Sequence, residues 1–124
     1  MQLIISKGLN HKIKDKVFFS KTELQTILQI YSKQVSSGVC RDYSIDNRRQ
    51  KAIFSFFRST FDKPIFQIEK KPNVKSKLLF DFNITYKNKI IETNVSLSKI
   101  LKRLDKKFEF FHKNNKGWVW IELH

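Results

Sequence analysis

The side chains best suited to chemistry in this sequence are cations. Arg48 and Arg49 stand together, Lys51 follows at once, and Arg58 closes the next apolar run. A planar guanidinium grips phosphate with two parallel hydrogen bonds, so this cluster suits contacts to a phosphate backbone. Lys70 and Lys71, with Lys75 and Lys77 behind them, form a basic run between two apolar segments. Lys99, Lys102, Arg103, Lys106 and Lys107 fall on one side of a helical repeat. There they can lie along a phosphate backbone or an anionic membrane. Each group equally suits a solvated turn or helix face, the ordinary place for charge. The densest mixed cluster is Arg41-Asp42-Tyr43-Ser44-Ile45-Asp46. As an interaction loop, its Arg41 would meet a phosphate or a partner carboxylate. As a structural loop, Asp42 and Asp46 would cap local turns and Arg41 would pair with one of them.

Other chemistries find no footing. His11, His112 and His124 are far apart and Cys40 has no partner thiol, so no zinc spacing exists. No nucleophile elbow occurs. Three glycines, Gly8, Gly38 and Gly117, cannot make a glycine-rich phosphate loop. The carboxylates are scattered, with no pair singled out for acid–base work. The expectation is a protein without catalytic residues, cofactor or metal. Trp118 and Trp120 would share one face of a strand, where they either stack on exposed bases or close the core.

Twenty-five Lys and Arg against 11 Asp and Glu give a net charge of +14 at pH 7. That excess attracts polyanions. An AT-rich coding sequence explains the heavy use of Lys, Asn, Ile and Phe, but not the scarcity of Asp and Glu. Hydrophobic residues at 40% and charged residues at 29% mark a globular chain rather than a disordered one. Its 124 residues make one ordinary domain that buries a core without disulfides. A single cysteine, Cys40, reads as a reduced, partly buried thiol. No apolar stretch approaches the ~20 residues of a membrane span. The N-terminal apolar run Leu3-Ile4-Ile5 is too short for a signal peptide, so a cytoplasmic location is expected.

The elements that must position these cations follow from period and punctuation. Residues 1–15 read as a basic N-terminal arm, and Lys16 to Phe19 as a short strand. Ser20 and Glu23 have the spacing of a capping box. Leu24, Ile27, Leu28, Tyr31 and Val35 then form one stripe, and Gly38 is a natural terminator, which predicts a helix over 21–36. Residues 39–50 read as a polar connection anchored by Tyr43 and Ile45. Strands are predicted at 51–58, at 65–70 after Pro64, at 78–86 and at 90–93, the last two joined by a hairpin turn at Lys87-Asn88-Lys89. Ser96 should cap a second helix with the stripe Leu97, Ile100, Leu101, Leu104 and Phe108. A final strand is expected at 118–123. Consecutive strands with short turns pair antiparallel. The predicted class is α+β, an antiparallel sheet of four to five strands with two helices packed on one face. The predicted domains are the arm 1–15 and a single unit 16–124.

Several short blocks in order carry a resemblance. They are Val17-Phe18-Phe19, Glu23-Leu24, Arg41-Asp42-Tyr43, Ile45-Asp46, Ala52 to Arg58, Pro64-Ile65-Phe66, Ile68-Glu69-Lys70 and Leu104-Asp105-Lys106. Over about residues 16–107 the chain resembles an alphaproteobacterial family of small cytoplasmic proteins described only as a domain of unknown function, DUF 2794-like. It departs at Cys40, where that pattern has Trp, and in the tail 108–124. The resemblance implies a bacterial, cytoplasmic single domain and supplies no activity, cofactor or catalytic residue.

Two function classes follow. The first is a non-enzymatic nucleic-acid-binding accessory protein, holding RNA or DNA mainly through phosphate by way of Arg48, Arg49, Lys51, Arg58, Lys70, Lys71, Lys99, Lys102 and Arg103. The second is a protein-interaction or regulatory adaptor that meets an acidic partner through Arg41, Asp42, Tyr43 and Asp46.

Overall fold

The computed structural model describes residues 16–59, 62–76 and 78–114. The expected N-terminal arm, the strand at 118–123 and the paired Trp118 and Trp120 lie outside the described residues.

The chain enters through Val17 and Phe19, both buried, with Lys16, Phe18 and Ser20 turned outward. This alternation is extended backbone, yet it is not the strand that its residues suggest. Its backbone is joined to the sheet region by Val17 N–H to the Arg48 carbonyl at 2.9 Å, and among the described residues it has no ladder partner. Helix α1 follows at Lys21–Ser36. The capping box forms: the Ser20 hydroxyl accepts the Glu23 amide at 3.1 Å and the Glu23 carboxylate accepts the Ser20 amide at 2.8 Å. At the other end, Gly38 at φ +83° takes the left-handed position. Its amide reaches the Val35 carbonyl, and the Val39 amide reaches that of Gln34. That pair of bonds is the Schellman closure, which occupies carbonyls the helix leaves open. Ile27 is fully buried. Gln34 rather than Val35 takes the inward place near the C-terminus, because seven residues after Ile27 completes almost two whole turns.

Five strands form a meander in the order β1-β2-β3-β4-β5: β1 Asp42–Asn47, β2 Ala52–Phe57, β3 Phe66–Pro72, β4 Phe80–Tyr86 and β5 Lys89–Asn94. Every neighbouring pair is antiparallel. Strand β1 stands where a connection is expected. Its Tyr43 and Ile45 lie opposite Phe56 and Phe54, so their alternation with Asp42, Ser44 and Asp46 suffices for an edge strand. The β4–β5 turn puts Lys87 and Asn88 at φ 50° and 67°, the left-handed pair of a type I′ hairpin. A bulge at Ile91 then shifts the β4–β5 register.

Helix α2 runs from Leu97 to Asn114, with the Ser96 hydroxyl accepting the Lys99 amide at 3.3 Å. Its stripe Ile100, Leu101, Leu104 and Phe108 is buried. Both helices pack on one sheet face. Their apolar residues join Phe54, Phe56, Phe66, Ile68, Phe82 and Ile84 in one cluster. Phe108 meets Phe56 and Phe66 edge-on, with ring centroids 5.2 and 4.9 Å away. The helices run the same way, since the first turns of both share a shallow cleft and Lys33 near the end of α1 reaches Asp105 at 2.9 Å.

The opposite sheet face is polar and bonded across strands. Gln67 donates to Ser55 and accepts from Thr85. Thr93 donates to Asn83, which with Lys51 donates to Glu69. Small hydroxyl and amide groups satisfy one another there across the strands. Among the described residues, no helix is long and apolar enough to cross a membrane.

Candidate functional site

Register sorts the expected cations into two ends of the sheet. Ala52 pairs with Asn47 on one side and Lys70 on the other, and Pro72 pairs with Phe80. The β1–β2 turn with Arg48 and Arg49, the end of β3 with Lys71, and the start of α2 with Lys99 therefore share one end. Arg58, beyond the last residue of β2, lies at the other.

Most of the first end is occupied by its own carboxylates. Arg48 Nε holds Asp46 at 2.7 Å. Lys51 Nζ holds Glu69 at 3.1 Å on the polar sheet face. Lys70 is not a surface cation, and here the expectation is corrected. Its side chain is 7% exposed and lies on the helix side, because strand alternation puts it on the same face as Phe66 and Ile68. Its ammonium bonds the Glu23 carboxylate and the Phe18 carbonyl, both at 2.8 Å, and stands 4.3 Å from the Phe80 ring centroid. Its positive charge is satisfied inside the protein. Lys71, Lys99 and Lys102 are exposed.

The Arg41–Asp46 segment is not a loop. Arg41 is exposed while its amide bonds the Phe57 carbonyl at 2.9 Å, and Asp42 receives the Tyr43 amide at 2.8 Å. Tyr43 stacks on Phe54 at 5.0 Å and 7° and meets Tyr31 edge-on at 4.9 Å. Asp46 is taken by Arg48. The segment is thus an edge strand with an aromatic anchor.

The second end builds a groove. One part, of about 750 Å³, is lined by Phe66, Tyr86, Ile91, Glu92, Arg103, Lys106, Lys107, Phe110, Phe111 and Asn114. A second part, of about 840 Å³, shares Tyr86 and Phe111 and adds Arg58, Asp62, Lys63, Pro64, Ile65, Gln67, Thr85, Lys87 and Asn88. Among the described residues, six cations line these two adjoining cavities, and the carboxylates there are Asp62 and Glu92. Glu92 lies 3.3 Å from both Arg103 and Lys107, and Asp62 lies 4.0 Å from Arg58. Phe110 projects into water at 70% exposure. Of the expected cations, Arg103, Lys106 and Lys107 line the first part and Arg58 the second. The positions missed by sequence reasoning are Lys63, Lys87, Phe110 and Phe111. Sequence offered one signal, a phenylalanine at 110 on the polar side of an amphipathic helix.

Burial pushes the Cys40 thiol up to about 12. Burial, then the Asp42 charge, raises Tyr31, and the hydrogen bond to Asp105 raises Lys33. Among the described residues no group of three or more His, Cys, Asp or Glu side chains is placed to hold a metal.

The family described as "Protein of unknown function (DUF2794)" matches residues 17–101 of the 124. The chain belongs to that family. No curated protein and no solved structure matches it. In this DUF2794 chain the match takes in α1, the whole sheet and the first turn of α2. The groove therefore has a wall inside the matched stretch, with Arg58, Lys63 and Lys87, and a wall beyond it, with Arg103, Lys106, Lys107 and Phe110.

Proposed function

We propose that the protein binds single-stranded nucleic acid, RNA or DNA, in the groove between the second half of α2 and the loops at the Arg58 end of the sheet. The observation that carries this reading is an exposed aromatic surface framed by six cations and two carboxylates. Single-strand binders combine a positive track for phosphates with aromatic faces on which bases stack. Phe110 and Tyr86 supply the faces. Arg58, Lys63, Lys87, Arg103, Lys106 and Lys107 supply the track. Stacking tolerates any base, so sequence preference is weak, and phosphate contacts make affinity fall steeply with salt. The role is binding without catalysis.

Anisotropy of a labelled single strand of about 12 nucleotides tests the reading. Phe110→Ala combined with Lys106→Ala is expected to weaken binding by at least about tenfold, since each stacked base contributes ~1–3 kcal/mol. Both side chains are exposed, so the fold should persist. Wild-type protein that fails to bind at micromolar concentration, or a variant that binds unchanged, refutes it.

The adaptor reading draws on a different observation. Edge strand β1 leaves Tyr43 and Ile45 partly exposed, and an edge can accept an added strand. Partners captured from lysate that persist after nuclease treatment, and that are lost on Ile45→Lys, would favour it.

A further inference from the structure

Val74 and Leu78 are aliphatic side chains left almost wholly in water, at 96% and 91% exposure, and Leu79 beside them is half exposed. They sit on the connection between β3 and β4. That connection is fastened. The Asn73 side-chain oxygen accepts the Lys75 and Ser76 amides at 2.8 and 3.0 Å. The Asn73 side-chain amide donates to Asp81 at 2.8 Å, and its backbone amide donates to the Leu79 carbonyl at 2.9 Å. Apolar side chains held outward on a connection pinned at Asn73 gain nothing from water, so they point to an apolar phase outside the protein.

The surroundings of the tip are cationic and partly apolar. Lys71 and Lys75 flank it, both exposed. The same end carries Phe18 before α1 and Val95 before α2, at 43% and 55% exposure. Both parallel helices begin there, which adds partial positive charge. The carboxylates nearby are engaged: Asp46 by Arg48, Glu23 by Lys70 and Asp81 by Asn73.

We propose that this end docks on an anionic lipid surface, with Val74 and Leu78 entering the headgroup layer and Lys71 and Lys75 meeting lipid phosphates. Exposed aliphatic side chains set beside exposed lysines match a lipid surface with anionic headgroups. Apolar insertion and cation attraction together give the two signals that stable peripheral attachment needs. The inference goes beyond the nucleic-acid reading and uses the opposite end of the sheet.

Sedimentation of the full chain with phosphatidylcholine vesicles, with and without about 30% phosphatidylglycerol, tests it. The protein is expected to sediment with the anionic vesicles alone. Val74→Asp with Leu78→Asp is expected to lower that binding at least about tenfold, with the circular dichroism unchanged. Lys71→Glu with Lys75→Glu should do the same. Val35→Asp, also exposed but at the far end of α1, should not. Absence of vesicle binding overturns the proposal. So does vesicle binding that survives the Val74 and Leu78 changes, which would be adsorption by charge alone. Capture of a protein through Val74 and Leu78 without vesicle binding assigns the tip to that partner and equally overturns it. The Phe110→Ala, Lys106→Ala variant should sediment like wild type, so this result and the oligonucleotide result stand apart.

Discussion

Cys40 lies at 1% exposure where the chain leaves α1, its amide bonded to the Gln34 carbonyl. An apolar site disfavours a thiolate, and burial carries the pKa from 9.0 to about 12. The folded pKa exceeds the unfolded one, so the stabilisation is whole below about 9 and is lost as pH rises towards 12. Tyr31 is raised in the same sense by burial and by Asp42. Lys33, raised by Asp105, adds to the trend only weakly because it stands in solvent. Urea unfolding measured across pH should show stability falling above pH 9, with a contribution from Cys40 of at most about 4 kcal/mol over the window. Cys40→Ala should be less stable at neutral pH, from its cavity, yet flatter towards alkaline pH. Equal slopes for the two proteins would show that the thiol ionises as readily folded as unfolded.

At the scale of elements, Glu23 holds two parts together. One of its oxygens accepts both the Ser20 amide and the Lys70 ammonium at 2.8 Å, so the start of α1 is tied to the middle of the sheet. Glu23→Ala should therefore cost about 3 kcal/mol by chemical denaturation, from a lost cap and a buried cation left with a carbonyl and a ring. Lys70→Met, which removes the charge and keeps the volume, should cost less. If the two cost the same, the pair matters and the stranded charge does not. The cap was legible because a capping box and a glycine terminator are local patterns. So were β2, β4, β5 and the α2 stripe, whose periods are written in consecutive residues. Strand β1 was not, because its polar side chains resemble a turn until Tyr43 and Ile45 find Phe56 and Phe54. Val17-Phe18-Phe19 is the opposite case, strand-like residues without a ladder partner among the described residues. Lys70 reads as a surface cation by its charge, although it alternates with Phe66 and Ile68. The partner that could neutralise it lies 47 residues away. The groove was illegible, since it depends on the direction in which α2 crosses the sheet.

The whole molecule carries +14, and that field reaches every surface at low salt. Its two cationic ends are nevertheless far apart. Strand β2, with six residues, alone spans about 20 Å. That distance exceeds a Debye length of ~8 Å at physiological ionic strength and falls within the ~30 Å of 0.01 M salt. Charges at the Arg48 end therefore act on an oligonucleotide in the groove only when salt is low. Changing Arg48 and Arg49 together to Ala should leave the fold nearly intact, since exposed pairs such as Arg48–Asp46 contribute ~0–1 kcal/mol. The double change should weaken binding of a single strand in dilute buffer by removing long-range attraction. At physiological salt its effect should vanish, whereas Phe110→Ala with Lys106→Ala should remain impaired, because base stacking is not screened away. Anisotropy titrations of the three proteins at both ionic strengths measure this. If loss of Arg48 and Arg49 weakens binding at physiological salt as much as the groove change does, phosphates touch both ends. The strand would then have to run the length of the sheet, and the groove alone would no longer account for recognition.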